Sequence, residues 1–138
     1  MSFEIVNPES LGAPRGWNNG LIAPRHGRLL FVAGQTGWET GAAGTPPGFA
    51  EQFARALDKV LTVVREAGGK PGDVARLTVY VTDLPAWRAS LKPLGEAWRA
   101  RFGRHYPAMA LLEVKGLVEQ GAMVEMEATA VLPPGGTR

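Results

Sequence analysis

Apolar residues recur along this chain with two periods, and the switches between them mark out the elements. From Phe49 they fall at Phe53, Ala56, Leu57, Val60, Leu61, Val64 and Ala67. Spacings of three and four keep that set on one helix face, and Gly68-Gly69 ends the stripe. Over 74–82 the period drops to two: Leu77, Val79 and Val81 take one face, Arg76, Thr78, Tyr80 and Thr82 the other. Arg28 to Ala33 is an almost continuous apolar run, read as a buried strand that ends in Gly34-Gln35. A strand over 21–24 is expected before it, turning through His26-Gly27 as a hairpin. Residues 36–48 hold four Gly and two Pro and form a loop.

A second helix is predicted over 86–102. Asp83-Leu84-Pro85 opens it with a polar cap and a first-turn proline, and Pro93 should kink or restart it. Two strands follow, about 108–115 and 122–132, joined through Gly116 and Gly121. Residues 1–20 read as an irregular segment, with turn signals at Asn7-Pro8, Pro14-Arg15-Gly16 and Asn18-Asn19-Gly20. Residues 133–138 read as a tail of the single domain 1–138.

The order β-β-α-β-α-β-β is that of an α+β domain, and two helices cover one face of its sheet. In the last two strands Ala110, Leu112, Val114, Val124, Met126, Ala128 and Ala130 are expected under the helices. Met109, Leu111, Glu113, Glu125, Glu127, Thr129 and Val131 are then expected on the bare face. That face is too apolar for water and too charged for a core. A homo-oligomer that packs bare faces together, with pockets between subunits, is the expected solution.

Composition narrows the chemistry. The 138 residues include no Cys and two His, which excludes disulfides, thiolate metal sites and a cysteine nucleophile. His26 and His105 alone make no multi-histidine site, so no metal is expected. Fifteen basic against thirteen acidic side chains give a net charge of only +2. Arg99, Arg101 and Arg104 read as a solvated helix end that complements the helix dipole, not as a nucleic-acid surface. Gly41 to Gly48 lacks the Lys-Ser/Thr that ends a phosphate loop. No apolar run reaches the roughly 20 residues of a membrane span, and Met1-Ser2-Phe3-Glu4 lacks a signal peptide's features; a soluble cytoplasmic domain is expected.

Several short motifs then occur in a telling order: Asn7-Pro8, Pro14-Arg15-Gly16-Trp17, Phe31-Val32-Ala33-Gly34-Gln35, Gln52 with Leu57, and Ala67-Gly68. Val79-Tyr80-Val81-Thr82-Asp83, Phe102-Gly103, Tyr106-Pro107-Ala108 and Val124-Glu125-Met126-Glu127-Ala128 follow. In this arrangement, over most of Asn7 to Val131, the chain resembles the RidA (YjgF) family of reactive imine and enamine deaminases. The resemblance implies a chorismate-mutase-like α+β fold, a homotrimer with clefts between subunits, and hydrolysis of 2-imino or enamine acids without metal or organic cofactor. It also implies an arginine directly after the Pro-Ala pair that holds the substrate carboxylate, and a glutamate on the last strand that positions water. The glutamate matches at Glu125; the arginine position is Met109, so the chain falls in a sub-branch without that arginine.

Glu125 is therefore the candidate catalytic residue, expected beside Met109's strand where an apolar neighbour would tune it as a base. Trp17, Gly34, Gln35, Met109 and Arg15 are the candidate ligand-binding residues, with Arg25 and Arg104 as further substitutes for the missing arginine. Glu113 and Glu127 are read as structural, and His105 as a packing histidine. The expected activity is RidA-like hydrolysis of an imine or enamine less anionic than a standard 2-imino acid. The alternative is a small-molecule-binding or metabolite-sensing trimer without catalysis.

Overall fold

The computed structural model describes residues 2–135. Strands β1 (Glu4–Val6) and β2 (Gly20–Ile22) pair antiparallel as a short ribbon. Strands β3 (Arg28–Thr36), β4 (Val74–Val81), β5 (Ala108–Glu113) and β6 (Val124–Leu132) build a mixed sheet in the order β3-β6-β4-β5. β6 is antiparallel to both neighbours, and β5 runs parallel to β4. Three helices, α1 (Phe49–Glu66), α2 (Leu84–Ala89) and α3 (Leu91–Phe102), share one core with the sheet. The expected α+β class is the observed one.

The core follows from the periodicities. α1 buries Phe49, Phe53, Ala56, Leu57, Val60, Leu61 and Val64. They pack with Leu77, Val79 and Val81 of β4 and Val124, Met126, Ala128 and Ala130 of β6. Full burial of each large side chain contributes roughly 1.5–3 kcal/mol, so this layer is the main source of stability. α2 starts at Asp83, whose carboxylate accepts the Ala86 N–H at 3.0 Å. Pro93 has no N–H with which to extend the ladder, so the helix divides at Ser90 and restarts. α3 adds Leu94, Trp98 and Phe102 to the core. Arg101 forks onto Asp58 at 2.6 and 3.1 Å and ties α3 to α1.

Three expectations need correction. β2 does not form a hairpin with β3; it pairs with β1, while β3 takes β6 as its partner. Pro24 offers no N–H for a ladder, and Gly27 lies so close to Val131 that a Cβ would sit 2.3 Å from its methyl carbon. The chain therefore turns away there. The segment 1–20 is not wholly irregular, since it holds β1 and a 3-10 turn over Glu9–Leu11. The faces of β5 are the reverse of those expected. Met109 lies beside Leu77 and Leu111 beside Val79, so both point under the helices, while Ala110 and Leu112 share the open face with Thr78 and Tyr80. Residues 109–112 are all apolar, so alternation carried no information about which side was which. Of the expected tail, residues 136–138 lie outside the described residues.

Gln52 is fully buried on α1, and its amide ties together two loops, β3–α1 and β5–β6. Nε2 donates to the carbonyls of Pro47 and Gly121, both at 3.0 Å, and Oε1 accepts the Met123 N–H at 2.8 Å. Beside it, a Cβ on Gly37 would meet the Gln52 backbone oxygen at 2.3 Å. Replacing Gln52 by Ala strands three buried polar groups, and we expect urea unfolding to show a loss of about 2–4 kcal/mol. Gly37→Ala collides with backbone rather than with a mobile side chain and is expected to destabilise the fold by a similar amount in the same measurement.

Candidate functional site

The N-terminal segment reaches the sheet through asparagines. Asn18 donates from Nδ2 to the Tyr106 carbonyl at 2.7 Å, and its N–H donates to the Pro107 carbonyl at 3.0 Å. Asn7 donates to Asn18 Oδ1 at 2.8 Å and accepts the Asn19 N–H at 2.7 Å. This clasp bridges Asn18 to Ala108 at the start of β5 and suspends Arg15-Gly16-Trp17 over the helix side of the sheet. The Trp17 indole N–H donates to Asn19 Oδ1 at 3.1 Å.

Under that segment lies a cavity of about 440 Å³. Trp17, Trp87, Trp98, Tyr106, Met109 and Leu111 are among its walls, with Phe53, Val79 and Leu94 at its base. Trp98 is held rigidly: it stacks on Phe102 at 4.2 Å and on Tyr106 at 6.0 Å, and its indole N–H donates to the His105 carbonyl at 3.2 Å. Among the described residues, Arg15 and Arg99 are the charged side chains of the lining. Arg25 and Arg104 are not part of it.

A second constellation lies on the open face. Between Val32 and Gln35 the β3–β6 register slips by one residue, a bulge that contains Ala33 and Gly34. The half-buried Glu125 carboxylate rests directly on Gly34: a Cβ there would stand 2.2 Å from Oε1 and 2.9 Å from Cδ. Tyr80, opposite Glu125 in register, donates its hydroxyl to Glu127. That bond raises the Tyr80 pKa above its ordinary value, with burial and the charges of Glu127 and Glu125 adding to it. Leu29, Phe31 and Leu112 extend the same face as exposed apolar residues.

The predicted site residues thus separate into two groups. Arg15, Trp17 and Met109 share the cavity; Gly34 and Glu125 share the open face. Gln35 pairs with Met126 and donates its side-chain amide to the Ala33 carbonyl at 3.3 Å. The expected juxtaposition of Met109 with Glu125 does not occur within one chain, because the sheet lies between them. Glu113 accepts the Leu84 N–H at 3.0 Å, a structural role at the start of α2. His105 stacks between Phe3 and Phe102, and its Nε2 lies 2.7 Å from the Val74 carbonyl oxygen. Among the described residues no three His, Asp or Glu side chains converge as a metal site, and no helix is long and apolar enough to cross a membrane. The sequence reading missed Arg99, Trp87 and Leu91 as cavity residues. The signal was present: Trp87, Leu91, Leu94 and Trp98 fall at spacings of four, three and four.

Known proteins resemble this chain in sequence and fold. The family model described as Endoribonuclease L-PSP matches residues 9–132. The chain belongs to this family, that of RidA (YjgF). A RutC family protein of Pyrococcus abyssi is 30% identical over 131 residues, covering 94% of this chain and 98% of its own. The 2-iminobutanoate/2-iminopropanoate deaminase of Escherichia coli is 31% identical over 105 residues, covering 76% of this chain and 80% of its own. The crystal structure of a conserved Rid-family protein of Yersinia pestis superposes with a TM-score of 0.78 at 29% identity, covering 96% of this chain and all of that one. The RidA family membership fits a fold that leaves one sheet face without helices.

Two substitutions probe the two groups separately. In Gly34→Ala the added methyl meets only the mobile end of Glu125, so the carboxylate should move in a crystal structure while stability changes by less than about 1 kcal/mol. Asn18→Ala removes the clasp, and faster hydrogen exchange confined to residues 7–20 and 106–108 is expected, with β4 and β6 unaffected.

Proposed function

We propose that this RidA-family protein hydrolyses a C=N bond, in an imine or in the imine tautomer of an enamine, within a cleft made by two copies of the chain in a homotrimer. Family membership supports an imine-deaminase-like function. The observation that carries the reading is the Glu125 carboxylate lodged against side-chain-free Gly34 on the uncovered sheet face. The bulge residues Ala33 and Gly34 beside that carboxylate are exposed, and Glu125 itself is half-buried. Glu125 would take a proton from water as the water oxygen adds to the imine carbon, giving a carbinolamine. Starting from the protonated imine, Glu125 returns that proton to the nitrogen and then takes the carbinol O–H proton as the C–N bond breaks, so that one protonated imine and one water yield one carbonyl compound and one ammonium.

Two features support a shared cleft. The groups around Met109 and around Glu125 lie on opposite faces of one sheet, so only a second copy can bring them together. The open face also carries Leu29, Phe31 and Leu112, with Phe31 75% exposed, a patch suited to burial between copies. Met109, Trp17 and Leu111 make the cavity apolar, which disfavours the smallest 2-imino acids as substrates. A second reading is a trimer that binds or senses a metabolite without turnover. It is favoured by the cavity lining, which among the described residues contains no acidic side chain.

Ammonia release from freshly generated 2-iminopropanoate and from neutral enamines tests the proposal. We expect turnover of at least one of these substrates above buffer and a loss of roughly 10²–10⁴-fold in Glu125→Gln, the range for removing a general base. Turnover equal to buffer on every substrate overturns catalysis and leaves the binding reading. Met109→Arg returns a guanidinium to the cavity and should raise 2-iminopropanoate turnover by about tenfold or more. Light scattering should give about 44 kDa for three chains of 14.7 kDa, and a monomeric mass overturns the shared cleft.

A further inference from the structure

The cavity on the helix side has a chemistry of its own. Its walls are aromatic and aliphatic, and at about 440 Å³ it falls within the roughly 300–1,000 Å³ typical of small-molecule pockets. Three tryptophans face it: Trp17 from the N-terminal loop, Trp87 from α2 and Trp98 from α3. A three-carbon acid would leave most of this space empty. The charged groups are distributed unevenly: Arg15 and Arg99 both belong to the lining, both are exposed to solvent, and among the described residues of the lining no carboxylate accompanies them. Among the described residues neither guanidinium is in an ion pair or a side-chain hydrogen bond; the ion pairs there use Arg55, Lys59, Lys70 and Arg101. Glu96, one turn before Arg99 on α3, is not within ion-pair distance of it. The Arg99 guanidinium instead lies over Gly95, where a Cβ would stand 3.1 Å from Nη1, and this glycine lets it lie flat along the cavity edge.

An apolar chamber with two unpaired guanidinium groups at its mouth is complementary to an amphiphilic anion. We infer that the cavity binds a carboxylate carrying a large aromatic or branched apolar group, with the apolar body among the tryptophans and the carboxylate accepting hydrogen bonds from Arg15 and Arg99. Each guanidinium offers a planar fork of donors that fits a carboxylate, and the low-dielectric wall behind strengthens the contact. The inference rests on the proposed site and narrows its substrate class to an imine or enamine that keeps a carboxylate, in place of the less anionic ligand expected from Met109 alone. Recognition of the acid passes from position 109 to two arginines at the opening, and the space that Met109 leaves apolar goes to the ligand's body. Arg15 reaches the site only because the Asn7–Asn18 clasp holds residues 15–17 across it.

Isothermal calorimetry on the full chain tests this with three probes: 3-phenylpropanoate, its neutral amide 3-phenylpropanamide, and propanoate. We expect the aromatic acid to bind at least about tenfold more tightly than either control, the amide reporting the loss of charge and propanoate the loss of the apolar body. In Arg15→Gln/Arg99→Gln the acid should fall to the affinity of the amide, while amide binding persists. Both side chains are exposed and unpaired, so the variant should keep its melting temperature, and retained amide binding checks the cavity directly. Equal affinity for acid and amide, propanoate binding as tightly as the aromatic acid, or an unchanged preference in the double variant would each overturn the inference. Binding as expected with no ammonia release from any imine overturns the catalytic proposal alone. Ammonia release without preference for the aromatic acid overturns this inference alone.

Discussion

The parallel pairing of β5 with β4 decides the chemistry of both sheet faces. Once Met109 lies beside Leu77 and Leu111 beside Val79, every second residue of β5 must point under the helices and the rest outward. A shift of one residue would exchange the two sets, placing Ala110 and Leu112 over the core and emptying the cavity of its sheet-side wall. The register therefore matters more than any single side chain on the strand. It is secured by the continuation of the ladder, where the Val114 N–H donates to the Val81 carbonyl at 2.8 Å, and by Asn18 at the other end.

What could be read in the chain depended on how much each segment had to bury. α1 and β4 have one wet and one dry side, so their patterns of spacing are clean and their positions were legible. β5 is apolar from 109 to 112, and its orientation depends on a partner more than 30 residues away; alternation within the strand cannot encode that. The ribbon of β1 and β2 was invisible for a related reason. Its three-residue strands have no buried face, and Ile5 and Ile22 remain exposed, so no pattern marks them. Gly34 and Glu125 could be singled out by family pattern. Their contact comes from a bulge, a local irregularity that arises when two strands of unequal residue count must stay in step.

The site residues show the same division between local and distant information. Arg15 and Trp17 stood out in a turn-rich segment, yet their position depends on asparagine contacts that span from 7 to 106. Arg99 looked like one of three arginines at a solvated helix end. The structure gives two of them different surroundings: Arg101 is clamped by Asp58, and Arg99 lies along a cavity edge because the neighbouring residue is glycine. Charge counted along a sequence cannot separate a cation that holds two helices together from one left free for a ligand.

The Asn7–Asn18 clasp also bears on how the protein avoids misassembly. β5 is an edge strand, and such a strand offers unpaired backbone groups to any extended segment that passes. Asn18 occupies the first rung of that edge through the Pro107 carbonyl, and its side chain takes up the Tyr106 carbonyl beside it. The N-terminal segment is thus a guard as well as a cavity roof. While it is docked, strand addition at the start of β5 is blocked; once it lifts, an apolar strand lies open to amyloid-like pairing.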